Sequence, residues 1–228
     1  CQFFLGGIEV ASEETNREML KELRDAVVKC DEQKAVYWAN RVIDKGVDPV
    51  IAIKDGLAQA MSAIGELYKA KKYGLPGVIA CGDAVNAVLN LLRPHIKDEA
   101  RMKGKVVIGN VEGDNHELGK KLVKIALEAS GWLVYDLGVD VKAEEFAKGV
   151  QRVDADILAL SAWATSNMLQ IRKIIDTVRA RKPKVVCMVG GPHMTRELAT
   201  LYGAEGFAEN FAGVDAEASR ILKQAQAK

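Results

Sequence analysis

The chain has 228 residues, 49% of them apolar, and its 32 basic side chains nearly balance 31 acidic ones for a formal charge of +1. That apolar share supports a packed core rather than disorder, in two modest domains or one large one. The balanced charge argues against a nucleic-acid footprint or a polybasic membrane contact, and no apolar run approaches the roughly 20 residues that span a bilayer. Cys1, Cys30, Cys81 and Cys187 are scattered with no C-x-x-C pair. They read as reduced packing thiols of a cytoplasmic protein, with neither a disulfide frame nor a zinc site. The apolar start, Cys1 to Val10, lacks a basic leader and is too short for a secretory signal, so it is set outside the fold.

From Thr15 to Pro94 the periodicity is helical. Thr15 and Glu18 have capping-box spacing, with Met19, Leu20, Leu23 and Val27 following at helical intervals. Asp31 caps a second helix, with Val36, Trp38 and Val42 on its apolar face and Gly46 at its end. Asp48-Pro49 starts a third, through Ile53, Leu57, Met61, Ile64 and Tyr68. Leu75-Pro76 repeats that signal and opens a fourth, through Val78, Val85, Val88, Leu89 and Leu92. Residues 12–95 therefore read as an N-terminal four-helix bundle. A polar stretch over 96–104 follows as an interdomain linker.

Over residues 105–228 strands and helices alternate. The strands are expected at Lys105–Asn110, Trp132–Leu137, Ile157–Ser161, Lys184–Val189 and Gly206–Ala208. The helices are expected at Leu118–Ser130, Lys142–Val153, Met168–Ala180, Thr195–Tyr202 and Asp215–Ala225. This pattern implies an α/β domain with a five-stranded parallel sheet of flavodoxin-like order. Ligands of such sheets bind at the carboxyl ends of the strands. The loops after strands one, three and four, Gly113–Gly119, Ser161–Asn167 and Gly190–Thr195, therefore matter most.

Several chemistries fail on these loops. Gly109, Gly113 and Gly119 lack Rossmann spacing, and there is no P-loop. A receiver domain would carry a lysine after its last strand, which Phe207–Ala212 does not offer, and no G-x-S-x-G is present. What remains is His116, with Asp114 two residues before it, a hydroxyl-bearing loop (Ser161, Thr165, Ser166) and the Gly190-Gly191 pair. A carboxylate beside a histidine can fix one ring nitrogen and free the other for a ligand. Paired glycines let a backbone approach something large and flat.

Asp114-Asn115-His116-Glu117-Leu118-Gly119, Ser161-Ala162-Trp163-Ala164-Thr165 and Gly190-Gly191, in that order, resemble the loops of base-off, His-on cobalamin-binding domains. Met61 to Tyr68 and Tyr73-Gly74-Leu75-Pro76 resemble the helical cap of methionine synthase and of methyltransferase corrinoid proteins. The resemblance covers Thr15 to the C-terminus and implies cobalamin, cycling between methylcobalamin and cob(I)alamin, as cofactor. It makes His116 the lower cobalt ligand and Asp114 its hydrogen-bonding partner. Gly119, Ser161, Thr165, Gly190 and Gly191 would contact the cofactor and its displaced nucleotide tail, with Met61, Tyr68 and Leu75 as cap contacts. Trp163 replaces a smaller aliphatic residue of the family and reads as core packing, with stacking on the nucleotide tail as the alternative. Asn167, with Ser166 beside it, stands where the family extends its Asp-His relay with a hydroxyl.

The function so implied is a methyl carrier that turns nothing over alone, because no substrate barrel of roughly 250 residues is present. Its partners would be a substrate:corrinoid methyltransferase, a second methyltransferase acting on an acceptor such as tetrahydrofolate or coenzyme M, and a reductive activase. A cobalamin-dependent sensory module and the small subunit of an adenosylcobalamin mutase are the alternatives. The cap segment Met61–Pro76 and the lack of an output domain favour the carrier.

Overall fold

The computed structural model describes residues 13–227, so the N-terminal segment set outside the fold lies outside the described residues. The chain begins with α1 (Glu13–Val28) and α2 (Glu32–Asp44). Next, α3 (Pro49–Ile51) runs without a break through a π-helical segment (Ala52–Leu57) into α4 (Ala58–Lys69), and α5 (Leu75–Leu92) completes four rods. Thr15 falls inside the first turn of α1 rather than at its cap, behind Glu13 and Glu14, whose charges suit the positive end of the helix dipole. Asp31 and Asp48 do cap, accepting from the Lys34 and Val50 amides at 3.0 and 2.9 Å. On α2 the fully buried positions are Ala35, Ala39 and Val42, while Val36 and Trp38 are half-buried.

Two expectations about this helical region are corrected. Cys30 and Cys81 form a disulfide across 51 residues. The end of α1 lies against α5, where the Tyr73 hydroxyl also donates to the Val28 carbonyl at 2.7 Å. Cysteine usage therefore gives no argument for a reducing compartment. Cys187 stays free, and burial pushes its thiol up to about 12, which makes it a poor nucleophile. Secondly, Leu75–His95 is long and apolar enough to cross a membrane by length and composition. Its apolar residues Val78, Val85, Val88, Leu89 and Leu92 are buried in the core.

The second half forms a five-stranded parallel sheet of order β2-β1-β3-β4-β5. Its strands are β1 (Lys105–Asn110), β2 (Leu133–Asp136), β3 (Ile157–Ser161), β4 (Val186–Gly190) and β5 (Gly206–Phe207). The flanking helices are α6 (Glu117–Ala129), α7 (Ala143–Val153), α8 (Thr165–Arg181), α9 (Arg196–Leu201) and α10 (Val214–Gln226). The apolar strands bury both faces, as a covered parallel sheet requires. One core includes Val106, Ile108 and Met188 with the helical region, α6 and α10; the other includes Val107, Leu158 and Val189 with α7 and α8. Glycines at +92° and +91° in φ, Gly131 and Gly203, end α6 and α9.

The helical region seats on α6 and on the turn after β5 through small residues. A Cβ at Gly65 would lie 2.7 Å from the Ala212 Cβ, and one at Gly82 3.3 Å from Ile125. Arg93, just past α5, pairs with the buried Glu128 of α6 at 2.6 Å; burial still pushes that carboxyl up, against the pull of Arg93 and Lys124.

Glu217 ties the far edge of the sheet together. Its carboxylate accepts from Arg196, Arg220 and the Phe207 amide at 2.8–2.9 Å. The Arg220 bond first, then Arg196 and Phe207, outweigh the cost of burial and hold it down at about 2. A depressed carboxylate stabilises the fold fully above its ordinary value, and that stability is lost as pH falls through the folded value. Glu217→Gln should therefore cost about 3 kcal/mol at pH 7, at 1.36 kcal/mol per unit. In urea unfolding the deficit should shrink steadily between about pH 4.5 and pH 2; a deficit constant with pH would refute the assignment.

Candidate functional site

The sheet register brings three of the sequence motifs into one row. Asn110, the last residue of β1, pairs with Ser161, the last of β3, and Ser161 pairs with Gly190, the last of β4. The histidine loop, the hydroxyl loop and the glycine pair thus leave the same end of the sheet side by side. The loop after β1 turns at Gly113, with φ +82°, whose amide donates to Asp140 at 2.7 Å. His116 then stands as the N-cap residue of α6.

Asp114 is the hub of this loop and is 1% exposed. One carboxylate oxygen accepts from the His116 amide and from His116 Nδ1, both at 2.9 Å. The other accepts from Asn110 Nδ2 at 3.1 Å and from the Trp163 amide at 2.9 Å. Burial alone would push this carboxyl up, but the four bonds outweigh it and hold it below the ordinary carboxylate range. An ionised carboxylate only accepts, so Nδ1 is the ring nitrogen that donates, which in the neutral imidazole leaves the lone pair on Nε2. That is the form in which an imidazole binds a metal.

A cavity of about 250 Å³ opens against this histidine. Tyr68 and Leu75 of the helical region line it together with His116, Gly119, Ser161, Gly190 and Gly191. Tyr68 also meets Phe211, with ring centroids 5.4 Å apart. The slot between β3 and β4 depends on glycine. Gly191 has φ +150°, and a Cβ there would lie 1.9 Å from the Ala162 carbonyl oxygen.

Two expected contact residues stand elsewhere. Met61 is buried in the core of the helical region, and Thr165 is exposed in the first turn of α8, which begins three residues earlier than expected. Asn167, at the relay position, donates to the Glu112 carbonyl at 3.3 Å and is not among the four partners of Asp114. Trp163 is not core packing: it is 47% exposed, and its indole stacks on the His116 ring.

The sequence reading passed over Asn110, Lys120 and Phe211. Asn110 is fully buried at the end of an apolar strand, and a polar residue there was a readable signal. Lys120, 2% exposed, pairs with Asp136 at 2.5 Å and lines the cavity one helical turn beyond His116. A wider opening of about 480 Å³ lies elsewhere, beside β2, and contains none of the loop residues named above.

Comparisons with known proteins agree with this geometry. The family model described as B12 binding domain matches residues 104–222, and a second B12 binding domain model matches 19–93. "Dimethylamine corrinoid protein 2" of Methanosarcina acetivorans is 33% identical, over 91% of this chain and 98% of its own. A corrinoid protein of Desulfitobacterium hafniense is 32% identical, over 90% and 97%. Among solved structures, the methanol:cobalamin methyltransferase complex MtaBC of Methanosarcina barkeri superposes with a TM-score of 0.77 at 27% identity, over 90% of this chain and 80% of that one. A cobalamin-binding protein from Desulfitobacterium hafniense gives 0.71 at 26%, over 90% and 98%. With an imidazole donor set by a buried carboxylate, a glycine-lined slot and an apolar wall from the helical region on one cavity, the chain belongs to the B12-binding corrinoid proteins.

Proposed function

We propose that the chain is a corrinoid methyl carrier: it binds cobalamin with His116 as lower cobalt ligand and passes a methyl group between two partner methyltransferases. The observation that carries this reading is that one cavity joins the Asp114–His116 couple to Tyr68 and Leu75. When bound, cobalamin supplies a cobalt centre that accepts and gives up the methyl group. Asp114 keeps the His116 proton on Nδ1 so that Nε2 can ligate. Ser161, Gly190 and Gly191 would flank the nucleotide tail, and Gly119, with nothing within 4 Å of an added Cβ, would leave room beside the ligand. Tyr68, Leu75 and Phe211 keep water from the reactive face.

Relatives named dimethylamine and trimethylamine corrinoid proteins support a methylamine as donor class, delivered by a substrate:corrinoid methyltransferase. The acceptor enzyme, working on tetrahydrofolate or coenzyme M, and a reductive activase complete the system in the cytoplasm.

Residues 12–95 would act as the cap and 105–228 as the cobalamin-binding domain. The cap must part from the cofactor before either enzyme can reach it. Arg101 is held to the cap by Asp48 at 2.5 Å, and Lys103 to the sheet domain by Asp215 at 2.7 Å. The pivot then lies between those two anchors, at Met102.

Reconstitution with methylcobalamin tests the reading. The wild type should give a His-on visible spectrum and His116→Ala a different one, whereas identical spectra would remove His116 as the ligand. Methyl transfer should require both partner enzymes together with the loaded chain.

A further inference from the structure

The imidazole of His116 is held by one hydrogen bond and one ring contact. Its side chain is 59% exposed, and the χ2 torsion of a histidine is broad when nothing restrains it. The bond from Nδ1 to Asp114 fixes an edge of the ring. A single bond is a pivot, however, and leaves the plane free to swing about it. The indole of Trp163 supplies the missing restraint, with centroids 4.8 Å apart and planes within 15°. Offset aromatic stacking of this kind is worth more than the area it buries.

We infer that Trp163 is a positioning residue for His116, fixing the plane of the imidazole while Asp114 fixes its edge. This rests on the reading of His116 as cobalt ligand. A metal bonded to an imidazole nitrogen lies in the plane of the ring. A group stacked on the face therefore flanks the metal bond rather than blocking it, and takes the place of water beside it. One residue serves both restraints, because the Trp163 amide also donates to the second oxygen of Asp114 at 2.9 Å. That half of its role is main chain and survives substitution, so the indole can be tested alone. Core filling does not account for the side chain, which is 47% exposed.

The test compares Trp163→Leu and Trp163→Phe in the full chain. By NMR of the cofactor-free protein, the carbon-bound ring protons of His116, assigned by their loss in His116→Ala, should lie upfield under the indole ring current. They should move downfield in Trp163→Leu and stay displaced in Trp163→Phe. In a cobalamin titration followed by visible absorbance, Trp163→Leu should bind about 2- to 12-fold more weakly, the range for ordering one side chain on binding. Trp163→Phe should recover most of that loss. Unmoved His116 protons, or wild-type affinity, in Trp163→Leu would overturn the inference. A wild-type holoprotein spectrum equal to that of His116→Ala would instead overturn the ligand reading, while the ring-current result still judges the stack.

Discussion

Gly191→Ala should unfold the protein more readily by about 2–6 kcal/mol and abolish cobalamin binding. The estimate combines about 1–3 kcal/mol for a side chain in a glycine-only backbone region with about 1–3 kcal/mol for overpacking. The added Cβ would lie 1.9 Å from the Ala162 oxygen and 3.0 Å from its carbonyl carbon, and main-chain atoms cannot swing aside as a flexible side chain would. The β3 loop would have to move, and Trp163, whose amide holds Asp114, is the next residue along. Two neighbouring glycines serve as controls. At Gly190 the nearest atom, the Ala208 oxygen, is 3.3 Å away, and at Gly119 nothing lies within 4 Å. Gly190→Ala should cost less than about 1 kcal/mol. Gly119→Ala, near the start of α6, should be neutral or stabilising by up to about 1 kcal/mol, yet bind cobalamin more weakly if the glycine leaves room for the ligand. Urea midpoints in that order support the slot; equal midpoints for the three variants would refute it.

What could be read from the sequence divides along a physical line. Local signals were legible: proline after Asp48 and after Leu75, glycines closing α6 and α9, and apolar runs that became β1, β3 and β4. So was the parallel order, because alternating strands and helices leave few ways to cover both sheet faces. The row Asn110–Ser161–Gly190 follows from that order, since it aligns strand ends whose loops were already suspected. Side-chain partnerships across the fold were not legible. That Cys30 meets Cys81 depends on how α1 lies along α5, and no spacing encodes it. Tyr68 reaches the cavity while Met61 turns into the core, although both sit on one helical stripe; the seat of Gly65 on Ala212 decides which face looks where. The type of residue at 163 does not say what its indole faces, because Trp is highly buried on average yet rarely fully buried. Its neighbour proved to be His116, 47 residues earlier in the chain.

The same loop yields the second large effect, at Asp114. Asp114→Asn should weaken cobalamin binding about 10- to 100-fold, the usual cost of losing the partner that orients a metal-binding histidine, and destabilise the chain by about 2–5 kcal/mol. All four partners of this carboxylate are donors: the His116 amide, His116 Nδ1, Asn110 Nδ2 and the Trp163 amide. An asparagine amide must turn its own NH₂ toward one pair or the other. If it faces Asn110 and Trp163, two buried donors lose their acceptor and the β1 and β3 loops lose their tie. If it faces His116, Nδ1 has to accept, the proton moves to Nε2, and the ring can no longer ligate cobalt. The visible spectrum of the reconstituted variant should then shift toward that of His116→Ala. Asn167→Ala provides the contrast, because Asn167 bonds the Glu112 carbonyl at 3.3 Å and none of the four bonds to Asp114 comes from it. Its cobalamin affinity should match the wild type. If Asn167→Ala weakens binding as much as Asp114→Asn does, the carboxylate is tuned through the α8 position after all, and the Asn110–Trp163 anchoring described here is not what sets the histidine.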